Sequence, residues 1–151
     1  MERFERAYEQ HPYNWRILGQ WAGMATFYAK DPKRGLEIAM KGLQICPSAS
    51  GSLWNEYGDA LYALERYDEA HRAFTRARDI NPEEPRTYLS LGWSHSARWE
   101  VNEAIECLCK GIQLDAFNSY AQQFFDKLKS VMEQRELVEN NKHNYRAQRT
   151  Y

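Results

Sequence analysis

Glycine and proline are scarce in this chain, eight and five among 151 residues. A turn-dense all-β domain uses more of both, which disfavours that class. A dominant charge is missing as well. Twenty Lys and Arg stand against 21 Asp and Glu, a formal charge of −1. No global field therefore points to nucleic acid, a membrane surface or a highly charged substrate. No apolar run approaches the roughly 18 residues that cross a bilayer, so no membrane insertion is expected. The opening MERFERAYEQHP lacks the uninterrupted apolar stretch of a secretion signal. Cysteines number three, and Cys107 and Cys109 would diverge on a helix and make a poor metal pair. All three read as reduced small hydrophobes in a cytoplasmic protein. What is present is a 43% hydrophobic fraction rich in Tyr and Trp. That is enough for one packed domain and argues against wholesale disorder.

The organising feature is a repeat. Between Leu53 and Pro82, apolar residues recur at Trp54, Tyr57, Leu61 and Leu64, then at Tyr67, Ala70, Phe74, Ala77 and Ile80. Spacings of three and four define two amphipathic helices. The break falls near Glu65 and Arg66, and Pro82 closes the second helix. The pattern returns 34 residues later, with Tyr88, Leu91 and Gly92, then Ala104, Leu108, Gly111 and Leu114. Going backwards, Gly35, Ala39, Gly42, Ile45 and Pro47 precede the second-helix positions by 35 residues. Their first helix carries Leu18, Trp21, Ala22 and Ala25, a register that needs one inserted residue. Phe4, Ala7 and Pro12 repeat the spacing of Phe74, Ala77 and Pro82, so the chain opens in the second helix of an earlier unit.

A 34-residue two-helix unit bearing Trp54, Tyr57, Gly58, Leu61, Tyr67, Ala70, Phe74, Ala77 and Pro82 closely resembles the tetratricopeptide repeat. The third unit departs from that pattern at Ala116 and at Trp99, where the family usually has proline and glycine. The resemblance implies an all-α, right-handed α-solenoid of antiparallel helix pairs. It divides 1–138 into a half repeat 1–14, repeats 15–50, 51–84 and 85–118, and a capping helix 119–138. The cap is read from Ala121, Phe124, Phe125, Leu128, Val131 and Met132. Residues 139–151 have no sustained apolar period and are expected to form a flexible tail.

No catalytic constellation is legible. His11, His71, His95 and His143 are scattered, and none pairs with another His or a carboxylate at ligand-like spacing on one face. His95 falls in register with Leu61 and reads as a packing histidine. No phosphate-binding glycine loop occurs. A non-enzyme without metal or cofactor is expected, and nucleic acid is an unlikely partner given acidic Glu56 and Asp59.

The resemblance implies that first-helix residues outside the pairing register line a concave groove. These are Arg16, Gln20 and Phe27 in the first repeat, with Gly19 and Gly23. In the second they are Asn55, Glu56, Asp59 and Tyr62, and in the third Arg86, Leu89, Ser90 and Trp93. Trp93 is either an exposed anchor or a packing residue. Some family members clamp chaperone C-termini with lysine, arginine and asparagine. Here Gly19, Gly23, Glu56, Arg86 and Ser90 fall on those five places, and Glu56 would repel a carboxylate. The expected function is a scaffold-like, protein-binding module taking a peptide or protein segment in the groove. The alternatives are a small secretion-type chaperone, by analogy of size and repeat number, or a homo-oligomerising unit. In the last, Phe4 and Tyr8 of the half repeat would meet a second chain.

Overall fold

The computed structural model describes residues 2–48 and 50–148, with the side chains of 143–148 excepted. The described residues form helices and connecting turns, with no strand among them. In order these are α1 (Glu2–Gln10), α2 (Trp15–Gly23) continued by a π-helical turn (Met24–Tyr28), α3 (Pro32–Ile45), α4 (Gly51–Ala63), α5 (Tyr67–Ile80), α6 (Pro85–Ala97), α7 (Val101–Leu114) and α8 (Ala121–Gln148). Antiparallel pairs α2–α3, α4–α5 and α6–α7 stack one upon the next. The contacts of α2 with α4, α4 with α6 and α6 with α8 make one continuous row. The chain is thus an all-α solenoid.

Local chemistry starts these helices. Asn14, Asp31 and Glu84 accept hydrogen bonds from the first-turn amides of Arg16, Arg34 and Arg86, which satisfies donors that lack intrahelical partners. Pro32 and Pro85 occupy first-turn positions, where a missing N–H costs nothing. Both Asp115 oxygens accept from amides ahead of α8, Ser119 at 2.9 Å and Tyr120 at 2.8 Å.

Small residues then set how closely paired helices approach. A Cβ at Gly58 would overlap the Phe74 ring, and one at Gly92 would overlap Leu108. Each glycine lets the outer helix of its own pair lie against the inner one. On α8, Phe124 and Val131 are buried as Leu53 and Ala60 are on α4 and Thr87 and Ser94 on α6; the place five residues after the first of each pair, held by Gly58 and Gly92, is held there by the exposed Lys129. Consecutive pairs are also tied by one repeated bond. Trp54 Nε1 donates to Pro47 O at 2.8 Å, and the Tyr88 hydroxyl to Pro82 O at 2.9 Å.

The inserted residue of the first repeat takes the form of the π turn. In the later pairs the turn is closed by Arg66 N–H to Leu61 O and by Glu100 N–H to His95 O. In the first, Asp31 N–H bonds Ala25 O, one residue farther along. A π turn absorbs a single extra residue without breaking the helix. The three turns share a left-handed residue, Lys30, Glu65 and Trp99, with φ of 53, 60 and 61°. None is glycine, so each bears a steric cost of about 1 kcal/mol. Glu65→Gly is therefore expected to stabilise the fold by about 0.5 kcal/mol, after the flexibility glycine adds to the unfolded chain. Urea melts of Glu65→Gly and Glu65→Ala check this. An alanine variant as stable as the glycine one would rule the backbone explanation out.

One boundary differs from the sequence reading. The final helix does not stop at 138 but continues to Gln148. Once a helix is nucleated, each further residue adds a hydrogen bond at little cost. The Arg135–Glu139 pair bridges the expected boundary at i,i+4. Residues 149–151 lie outside the described residues.

Candidate functional site

Three cavities adjoin along the row α2, α4, α6 and α8. The first, about 350 Å³, is walled by Trp15, Arg16, Gly19, Gln20, Leu53 and Glu56 among others. The second, about 390 Å³, lies between Phe4, Gln20, Met24, Phe27, Tyr28, Glu56 and Arg86. The third, about 190 Å³, is bounded by Phe27, Asp59, Arg86, Leu89, Trp93, Tyr120 and Gln123. Gln20 and Glu56 are common to the first two, and Phe27 and Arg86 to the last two. Together they make one groove.

Its floor is an ion triad joining two repeats. Arg86 at the start of α6 donates Nη1 to Glu56 Oε1 at 2.7 Å and Nη2 to Asp59 Oδ2 at 2.6 Å. Glu56 and Asp59 share one face of α4 because they are three residues apart. Their side chains are only 12% exposed, and that of Arg86 25%. Glu56 fits because Gly23 opposite has no side chain; a Cβ there would lie 2.7 Å from Glu56 Oε2. Burial pushes the Asp59 carboxyl up to about 7, against the downward pull of Arg86 and helped by Glu56. Burial pulls the Arg86 guanidinium down, but Asp59 and Glu56 outweigh it and hold it above its usual value. Within the triad the guanidinium keeps its proton, and the Asp59 carboxyl is held above the usual carboxylate range.

The sequence-assigned groove residues separate into those that face the groove and those that do not. Arg16, Gln20, Phe27, Glu56, Asp59, Arg86 and Trp93 line it. Leu89 also borders the third cavity, yet is mostly core, packed with Leu108, Phe124 and Val131. Trp93 combines both readings left open for it. It is 38% exposed, with its ring 6.1 Å from that of Tyr62. Tyr62 is a supporting residue, half-buried between Trp93 and Tyr67. Asn55 is a correction: it points away from solvent, buried, and donates Nδ2 to Thr87 Oγ1 at 2.8 Å. The neighbouring helix supplies a partner for the amide nitrogen, while Oδ1 is buried without one among the described residues.

Phe4 and Tyr8, assigned from sequence to self-association, are half-buried against the first repeat's core. Tyr8 tilts on Trp21 with ring centroids 6.1 Å apart. Phe4 turns out to wall the second cavity, which makes it a groove residue that sequence reasoning missed. Its half-repeat register was the available signal. Tyr120 and Gln123 of the cap were missed as well.

A histidine pair also escaped the sequence. His71 on α5 and His95 on α6 meet edge to face with centroids 4.6 Å apart. His95 Nδ1 lies 2.7 Å from Glu100 Oε2, and His71 Nδ1 3.1 Å from Ser94 Oγ. Burial, then His95 and Arg98, pull the His71 ring below its ordinary value. Among the described residues no three His, Cys, Asp or Glu side chains converge on a common metal position.

Stacked helix pairs of this size, small residues at each crossing and a side-chain-lined inner row define the tetratricopeptide architecture. Residues 51–84 match the tetratricopeptide repeat family, and that stretch of the chain is a tetratricopeptide repeat. Over 114 residues it is 25% identical to heat shock protein STI1 of Saccharomyces cerevisiae, covering 76% of this chain and 19% of that protein. The chain therefore spans about a fifth of the length of that curated relative. Its fold is similar to the TPR2B domain of yeast Sti1 in a pHsp70 complex, with TM-score 0.71, 19% identity, and coverage of 77% of this chain and 94% of that one. It is also similar to the first TPR of Spaghetti (RPAP3) bound to the HSP90 peptide SRMEEVD. That match has TM-score 0.69 and 16% identity over 79% of this chain and 90% of that one. No helix among the described residues is long and apolar enough to cross a membrane.

Proposed function

We propose that this chain is a non-catalytic interaction module that holds a peptide or protein segment along the groove of α2, α4, α6 and α8. The observation that carries the reading is continuity: three cavities share walls over all three repeats, with Phe27 and Trp93 half-open to solvent. Walls built on packed helices lose little freedom when a ligand arrives. The similar domains of Sti1 and RPAP3, solved with chaperone peptides, support a protein segment as the class of partner. Their particular ligand does not transfer. Gly19, Gly23, Glu56 and Ser90 offer no cation for a carboxylate, and Arg86 is already engaged by two carboxylates.

The test is selection from a random-peptide library, followed by affinity measurements on the wild type and Trp93→Ala. An exposed aromatic at the centre of an interface contributes on the order of 1–2 kcal/mol, so affinity should fall about tenfold. Far-ultraviolet circular dichroism should stay unchanged. Undiminished affinity would remove Trp93 and the third cavity from the binding surface. Loss of helicity would make Trp93 a core residue.

A further inference from the structure

The charge of the second and third cavities is set by one cluster. Among the residues walling the second and third cavities, the formal charges are Glu56, Asp59 and Arg86. Two carboxylates face one guanidinium, which leaves an excess of one negative charge when all are ionised. Both terminal nitrogens of Arg86 are committed, at 2.7 and 2.6 Å. An incoming carboxylate would have to displace one internal anion and then lie close to the other, in surroundings that screen poorly. A cation meets the opposite situation. Above the floor stand Phe27, 52% exposed, Tyr28, 79% exposed, and Trp93, whose ring faces attract positive charge. Farther along, Phe4 and Met24 give the second cavity an apolar end.

We propose that the groove takes a segment in which a lysine or arginine lies next to an aromatic or aliphatic anchor. The cation sets against Glu56 and Asp59 beside Phe27 and Trp93, and the anchor enters the cavity between Phe4 and Met24. This assignment rests on the groove reading above and specifies its partner. Its sign is opposite to that of the SRMEEVD peptide held by the RPAP3 domain.

The experiment uses three fluorescent peptide pools with identical randomised apolar positions and one fixed central residue: arginine, glutamine or glutamate. Fluorescence polarisation is read against the full chain at pH 8, where both carboxylates of the triad are ionised. The arginine pool should bind about tenfold tighter than the glutamine pool, equivalent to a single charge contact in a partly buried site. The glutamate pool should bind weakest, and the spread should narrow as salt is raised. Glu56→Gln combined with Asp59→Asn frees Arg86 and should reverse the order, with the glutamate pool first. Phe27→Ala, at a half-exposed wall, tests the same idea without touching the triad. It should weaken the arginine pool more than the glutamate pool. Equal binding of all pools, or preference for glutamate in the wild type, overturns the charge assignment and leaves the groove reading standing. No binding of any pool by the wild type overturns the groove reading, and this assignment falls with it.

Discussion

Replacing Arg86 by methionine should destabilise the fold by about 3 kcal/mol at pH 8 and by clearly less at pH 5. Removing one partner of a buried ion cluster leaves uncompensated charge, a loss on the order of 3–5 kcal/mol. The lower end applies because the triad keeps some contact with water. The sign with pH follows from linkage. Burial already lifts the Asp59 carboxyl from 3.8 to about 7. Without the guanidinium, the charged form is disfavoured further. Between the unfolded and folded values the native state binds more protons than the unfolded chain, so stability falls as pH rises through that window. Urea melts of wild type and variant at the two pH values measure it. An equal loss at both would assign the effect to the packing of the arginine stem rather than to charge. Adding Glu56→Gln and Asp59→Asn to Arg86→Met should recover most of the loss at pH 8.

Phe124→Ala should cost about 3–5 kcal/mol, the range for truncating a fully buried aromatic. Phe124 is 0% exposed and its ring lies where a side chain at residue 111 would stand, with Tyr88 beside it. The deletion opens a void between α7 and α8, and Gly111 has no side chain with which to close it. For a chain of this length the melting temperature should drop by about 10 °C. A thermal melt decides. A shift of only a degree or two would show that α8 does not belong to the cooperative unit.

The fold was legible because the repeat states each rule three times. Gly58 and Gly92 stand 34 residues apart, and the large residues opposite them, Phe74 and Leu108, keep the same distance. One close crossing therefore announces the next. The extra residue in the first repeat was equally visible, but its form was not, since a π turn has no residue signature of its own. Residues 139–148 carry no apolar stripe, so periodicity could not reveal a helix that continues α8.

The candidate site was legible where a residue's register alone fixes its direction, as for Gln20, Asp59 and Arg86. It failed where a side chain could choose. Asn55 turned inward to a hydroxyl on the next repeat, a choice that depends on Thr87, far away in sequence. The union of Arg86 with Glu56 and Asp59 depends in the same way on which helices become neighbours. Spacing within one helix could not disclose it, nor the meeting of His71 with His95.

Lys129 gives the array a direction. In the second and third repeats the glycine at that place is a socket for the outer helix of its pair. On α8 the socket is filled by a charged side chain. A designer lengthening this protein should find the two sites unequal. A unit spliced between α7 and α8 leaves that lysine in water, whereas a standard outer helix appended to α8 meets it. Changing Lys129 to glycine would open the place to a further helix.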